Sequence, residues 1–172
     1  MMYYSAAYDS PVGRLCLCGG GETLSGLWLE GQKYFGGKIL AGSVEQEDLP
    51  VFGQARAWLD RYFAGDRPSP DELPLAPVGS EFQKKVWEIL CSIPYGQTIT
   101  YGGIAKQIGN TSAQAVGGAV GHNPISIIIP CHRVVGSGGS LTGYAGGIDK
   151  KIWLLKHENA DLSGLSASEN LL

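Results

Sequence analysis

The period of apolar and polar positions changes several times along this chain. From Tyr3 to Gly31, "YYSAAYDSPVGRLCLCGGGETLSGLWLEG" reads as short runs with strand character, broken at Ser10-Pro11 with Gly13 and at Gly19–Gly21. These breaks are hairpin turn signals, so short strands joined by tight turns are predicted. In "LPVFGQARAWLDRYFAG" the apolar residues Phe52, Ala55, Leu59, Tyr62 and Phe63 recur at helical spacing, and Gly65 supplies a C-terminal stop. Residues 66–78 carry prolines at 68, 70, 74 and 77 with no periodicity, which predicts a connector. Beyond it, Ser80 and Gln83 form a capping box ahead of the stripe Phe82, Val86, Ile89 and Leu90, and Pro94 stops that helix. A short helix over "TYGGIAKQIG" then places Tyr101, Ile104, Ala105 and Ile108 on one side and closes at Gly109. Asn110 and Thr111 are candidate caps for a further helix, residues 113–121.

This order predicts an α+β chain: a small α/β domain over residues 1–78, then a mostly helical domain over 79–172 whose polar, Ser-rich tail after about 160 is expected to be flexible. Two short helices joined by a tight Gly-containing turn describe a helix-turn-helix, though a helical hairpin packed in a core has the same pattern. Gly117 and Gly118 lie inside the second of these helices, where each costs about 1 kcal/mol relative to Ala. Either a surface that approaches another molecule closely or tight helix packing would account for them.

Composition narrows the function classes. With 44% apolar and 17% charged residues the chain is an ordinary globular sequence, and no apolar run approaches the length of a membrane span. No basic stretch leads into an apolar one at the N-terminus, so no signal peptide and a cytoplasmic location are expected. Net charge is −3, but residues 1–78 hold six Lys/Arg against ten Asp/Glu and residues 79–172 hold seven against six. Any contact with phosphate must therefore come from the second half, through a local patch and helix N-termini. Cys16, Cys18, Cys91 and Cys131 are too sparse for a disulfide framework, and His122, His132 and His157 have no metal-ligand spacing to them. Neither a metal nor another cofactor is expected. "LCLC" reads as a strand with both thiols on one face.

The chemistry concentrates in "IIIPCHRVV". Ile127, Ile128 and Ile129 read as a buried strand, and a nucleophile and a base follow at once. Adjacent side chains on a strand point to opposite faces, so Cys131 and His132 act together only if the backbone breaks at Pro130. Glu158, in "KHENA", offers a carboxylate to fix the imidazole, giving a nucleophile-base-orienter set of Cys131, His132 and Glu158. A cysteine after such an apolar run can equally be inert and buried. His157 needs no further purpose in the last turn of a helix.

The segment "AVGGAVGHNPISIIIPCHRVVGSGGSLTGYAGGIDKKIWLLKHE" resembles the signature region of the O6-alkylguanine-DNA alkyltransferases, also called methylated-DNA–protein-cysteine methyltransferases. The resemblance runs from "EFQKKVWEILCSIPYGQTITYGGIA" to "WLLKHE"; the first half resembles the family only in length and in its strands-then-helix order. It implies an RNase H-like fold for the N-terminal domain and a winged helix-turn-helix in the C-terminal one. It further implies a monomer acting on double-stranded DNA with O6-alkylguanine, and possible activity on O4-alkylthymine is left open. In the implied roles Cys131 takes the alkyl group, His132 activates it through a water, and Glu158 orients His132. Asn123 braces the turn before the active-site segment, and Tyr101 crowds the target nucleotide. Tyr144 sits beside O6, and backbone groups around Cys131, Val134, Ala145 and Gly146 read the base. Arg133 is structural. The slim helix with Ala113, Gln114, Ala115 and Gly118 enters the minor groove, while the base is flipped out at a cost of about a few kcal/mol.

One position departs from the family pattern. An arginine that replaces the flipped base in the stack is common 17 residues before the cysteine, and here that position is Gln114. Glutamine lacks the charge and planar stacking area of arginine, so weaker DNA binding or slower flipping is expected. The alternative reading is a non-catalytic, lesion-binding alkyltransferase-like protein; those lack the cysteine of this motif, and the intact "PCHRVV" weighs against it. A Cys-His-Glu thiol hydrolase would need turnover and an oxyanion hole to which nothing in the sequence points.

Overall fold

A computed structural model of the chain describes residues 2–141 and 143–166. It divides into two compact units: one built from the chain up to Val78 together with Pro124–Ile128, the other from Gly79–Asn123 together with the chain from Ile129 on.

In the first unit, strands β1 (Tyr4–Ser10), β2 (Gly13–Gly19) and β3 (Leu24–Leu29) form an antiparallel meander. The one-turn helix α1 (Gly37–Ala41) precedes β4 (Val44–Glu45), which pairs in parallel with β1 and gives the order β3-β2-β1-β4. The first hairpin closes at Ser10, whose Oγ donates to the Gly13 carbonyl at 2.6 Å while Gly13 adopts φ 113°; only glycine takes that conformation freely. Leu15 and Leu17 have no exposed surface, and Cys18 on the other face is equally covered while Cys16 is half-buried. Burial pushes the Cys18 thiol up to about 12, as suits a core residue. Helix α2 (Pro50–Phe63) begins on a proline, where the missing N–H costs nothing, and buries Val51, Phe52, Ala55, Trp58, Leu59 and Tyr62.

The proline-rich connector holds more structure than its composition predicts. Ser69–Glu72 form a capped 3-10 turn in which the Ser69 N–H donates to Glu72 Oε2 at 2.7 Å, and Trp58 Nε1 donates to the Ser69 carbonyl at 2.8 Å. Leu24 N–H donates to Pro74 O at 2.9 Å and Ala76 N–H to Leu24 O at 2.8 Å, so this run is tied to the start of β3. Prolines mask such a segment from any reading by periodicity, because they leave only a few residues to report it.

In the second unit, α3 (Glu81–Cys91) starts at the expected Ser80–Gln83 capping box and buries Val86, Trp87 and Leu90; Phe82 and Ile89 are half-buried. The short strand β5 (Ile99–Thr100) runs into α4 (Tyr101–Ile108), capped by Thr100 Oγ1, and Gly109 ends it at φ 79°. Helix α5 (Ala113–Gly121) packs against α3 and α4. Its cap is neither Asn110 nor Thr111. Ser112 Oγ accepts from Ala115 N–H at 3.0 Å, and Asn110 instead forms the turn at φ 53°, a left-handed conformation that asparagine tolerates. Strand β6 (Val134–Val135) pairs in parallel with β5, and helix α6 (Ile148–His157) follows. Val135, Leu141, Ile152 and Leu155 form a small core, with Leu162 and Leu165 packed against it. The stretch just after residue 160, expected to be flexible, is therefore tied down as far as Ser166, whose carbonyl accepts from Leu141 N–H at 3.0 Å. The rest of the tail, 167–172, lies outside the described residues.

Candidate active site

The apolar run before the cysteine is buried, yet it is not a strand. Residues 126–128 form a turn in which Ile128 N–H donates to Ser126 O at 2.8 Å across Ile127, itself at φ 72°. A β-branched residue there is a strained outlier. Pro130 (φ −81°, ψ 66°) centres an inverse γ-turn closed by Cys131 N–H to Ile129 O at 2.8 Å. These two turn bonds take the place of a strand ladder at the Ile128 and Cys131 N–H groups. A run of three isoleucines does not distinguish these outcomes, since burial alone rewards them.

The break expected at Pro130 is present. Cys131–Arg133 form a single 3-10 turn, in which successive side chains differ in direction by about 120° rather than pointing to opposite faces. Asn123 fixes the approach to this turn: its Nδ2 donates to the Ile129 carbonyl at 2.9 Å, and its side chain also hydrogen-bonds the Cys131 sulfur. Cys131 is 6% exposed. Burial raises its pKa, opposed by the Asn123 hydrogen bond and by the charge of Lys151.

His132, Arg133 and Glu158 form a buried network. His132 Nε2 lies 2.6 Å from Glu158 Oε2; Arg133 Nε donates to Oε1 at 2.7 Å and Nη2 to Oε2 at 3.0 Å. Arg133 Nη1 donates to the Ile93 carbonyl at 2.7 Å, and the guanidinium lies 5.6 Å from the centre of the Tyr95 ring. Burial acts to raise the Glu158 carboxyl, but His132 and the fixed charge of Arg133 hold it well below the usual carboxylate range. Burial lowers the His132 imidazole against the pull of Glu158. An ionised carboxylate only accepts, so a neutral His132 must donate Nε2–H to it. That leaves Nδ1 as a lone-pair acceptor, and Nδ1 is buried with no hydrogen-bond partner among the described residues.

Tyrosines complete the surroundings of the sulfur. Tyr101, the first residue of α4, is pushed up to about 12 by burial and by the charge of Cys131. Tyr144 is raised by burial first and then by Cys131 and Glu158, and its hydroxyl is buried without a partner among the described residues. Gly143 (φ 88°) brings the backbone so close that a Cβ there would lie 3.1 Å from Tyr101 Oη. Ala145 and Gly146 are the central residues of a turn closed by Gly147 N–H to Tyr144 O at 3.1 Å. Val134 is fully buried, and its N–H already donates to Cys131 O.

Helix α5 has two faces. Val116, Ala119 and Val120 are buried; Ala113, Gln114, Ala115 and Gly118 are exposed. A Cβ on Gly118 would meet nothing within 4 Å, and one on Gly117 would make only ordinary contact, 3.8 Å from the Tyr101 ring. Internal packing therefore does not call for glycine at either position.

Reading the sequence missed one residue of this cluster. Lys151, on α6, has no exposed surface; burial lowers it to about 8 while Cys131 acts to hold it up. It stands three residues after Ile148 and four before Leu155, and this helical phase was the available clue. Among the described residues no group of three or more His, Cys, Asp or Glu side chains is placed to hold a metal ion.

Comparison with known proteins finds relatives over the whole chain. Residues 2–77 match the family described as "6-O-methylguanine DNA methyltransferase, ribonuclease-like domain", and residues 81–160 match the DNA binding domain of the same name. The methylated-DNA–protein-cysteine methyltransferase of Methanosarcina acetivorans is 49% identical over 161 residues, covering 92% of this chain and 99% of the relative. That of Haemophilus influenzae is 44% identical, covering 91% of this chain and 86% of the relative. The crystal structure of Mycobacterium tuberculosis OGT in complex with DNA superposes with a TM-score of 0.80 at 43% identity, covering 92% of this chain and 93% of that one. The two halves and the full-length matches agree: the chain belongs to the 6-O-methylguanine DNA methyltransferase family.

Proposed function

We propose that this protein repairs DNA by transferring the alkyl group of O6-alkylguanine to Cys131, once per molecule. The observation that carries the reading is the Cys131 turn itself: a thiol held by Asn123, beside an imidazole whose Nε2 is tied to Glu158 and whose Nδ1 is left as an acceptor. His132 takes the thiol proton at Nδ1 through a water, and Glu158 with Arg133 keeps the imidazole in the accepting tautomer. The sulfur attacks the alkyl carbon, the S–C bond forms and the C–O6 bond breaks with its electron pair on the guanine. The base then takes up a proton. The resulting thioether offers water no carbonyl to attack, so the cysteine is not regenerated.

O6 is hidden in a stacked duplex, so the nucleotide must be turned out into the pocket. The exposed Ala113, Gln114, Ala115 and Gly118 suit the approach of α5 to a narrow groove, and Tyr101 and Tyr144 suit a base seated beside the sulfur. Val134, Ala145 and Gly146 border that seat with backbone groups. Four free thiols suit a reducing compartment, the cytoplasm.

Intact-protein mass spectrometry after mixing with excess duplex containing O6-methylguanine tests this reading. One added methyl group, absent from Cys131→Ala and not increasing with time, is expected. Tight lesion-selective binding without added mass would make the protein a reader of damage instead.

A further inference from the structure

The loop that follows the Cys131 turn is held by chain beyond the matched domain. The match to the DNA binding domain ends at residue 160, and residues 162–166 then run alongside residues 136–141. Ser166 N–H donates to the Gly139 carbonyl at 2.9 Å and Leu141 N–H to the Ser166 carbonyl at 3.0 Å, which makes a parallel bridge between Ser140 and Ser166. Leu162 and Leu165 pack against Val135, Leu141, Ile152 and Leu155. Asp161 Oδ1 accepts from Ser163 N–H at 3.0 Å and from Ser163 Oγ at 2.7 Å, which pins the turn leading into this run. The fit is closest at Gly139. A Cβ there would lie 1.8 Å from the Gly164 carbonyl oxygen, and the residue takes φ 86°. Gly138 takes φ 73°, with nothing within 4 Å of where its Cβ would be. Left-handed backbone explains both glycines, but only Gly139 is also shaped to the chain lying on it.

A loop with two successive glycines has little stiffness of its own, so what lies against it decides how far it can move. Its near end joins the Cys131 turn through Val134 and Val135. Beyond its far end stand Gly143, close against Tyr101, and Tyr144, whose hydroxyl is buried. We propose that residues 162–166 are a strap that positions the 136–141 loop, and with it Tyr144 and Ala145, so that the base seat accepts small O6 substituents and resists bulky ones. The inference rests on Cys131 being the alkyl acceptor. The bonds made and broken are those of that reaction, and the strap acts through the loop rather than on the reacting atoms. A fixed pocket wall separates substituents by roughly 10- to 200-fold per methylene, and a wall free to shift gives up part of that.

The test compares the full-length protein with two variants that leave the loop's own sequence intact. Leu165→Asp puts a carboxylate where the apolar cluster cannot hold it, and Ser166→Pro removes the N–H donated to Gly139. Single-turnover transfer is measured from duplexes carrying O6-methylguanine and O6-benzylguanine. Both variants should raise the benzyl-to-methyl ratio of rates roughly tenfold. A strap that only adds stability would slow both substrates by one factor. In amide exchange without DNA, peptides from 136–141 should exchange about tenfold faster in each variant, while α3 stays protected and so reports an intact fold. An unchanged ratio of rates overturns the proposal. Unchanged exchange in the loop overturns it whether or not the wild-type protein transfers an alkyl group. Absence of transfer by wild type would sink the functional reading separately.

Discussion

Arg133 and Glu158 meet fork to fork, Nε to Oε1 at 2.7 Å and Nη2 to Oε2 at 3.0 Å, with the Glu158 side chain wholly covered. Removing one member of such a pair strands the other charge away from water. Glu158→Gln should therefore cost about 3–5 kcal/mol in urea unfolding, far more than a surface carboxylate. It should also slow alkyl transfer, because His132 loses the acceptor that fixes its tautomer. A cost under about 1 kcal/mol, as for an exposed pair, would show that the network is solvated in solution.

The same network sets the acid limit of stability. His132 is held below its ordinary value by burial, and Glu158 is held below its own by His132 and Arg133. In both cases the unfolded chain binds more protons in acid, so stability rises with pH through these ranges. The contribution is complete above the unfolded histidine value of about 6.5 and is lost as pH falls towards the folded values. Urea midpoints should be level just above neutrality and fall steadily below about pH 6.5. A level profile down to about pH 4 would mean that neither group is buried as described.

Local rules made much of this fold readable, and the failures share a cause. The Ser80–Gln83 box, the Gly65 and Gly109 stops and the hairpin at Gly13 depend on a few neighbouring residues, and each was visible in sequence. Ile127–Ile129 misled because buried β-branched residues suit a strand and a buried turn alike, and only their tertiary surroundings choose. Cys131 and His132 were conspicuous as adjacent chemistry. Glu158 entered as a carboxylate beside His157, but its pairing with Arg133 depends on the end of α6 meeting the 3-10 turn. Lys151 went unread beside Lys150, since two adjacent lysines differ only in helical phase, and phase matters once the apolar face has a partner.

Gln114 is the exposed polar side chain in the first turn of α5. If this position fills the gap left by a displaced base, a guanidinium there adds charge and stacking area. Gln114→Arg should tighten binding to duplex DNA and steepen its salt dependence by roughly one released counterion. Fluorescence anisotropy at several salt concentrations measures both. Equal affinity and slope in the two proteins would place residue 114 away from the DNA.

Gly118 separates the needs of the fold from those of the surface. It lies within α5 with open space where a Cβ would be, so Gly118→Ala meets no clash and removes the entropic cost of a helical glycine. Unfolding free energy should rise by roughly 0.5–1 kcal/mol. If the exposed face of α5 approaches DNA closely, the added methyl group should weaken binding despite the firmer fold, and Gly118→Leu should weaken it further. Chemical denaturation and DNA titration of the same preparations give the two quantities. Opposite signs would assign the glycine to the interface. A gain in stability with unchanged affinity, even for leucine, would show that α5 does not present this face to the duplex.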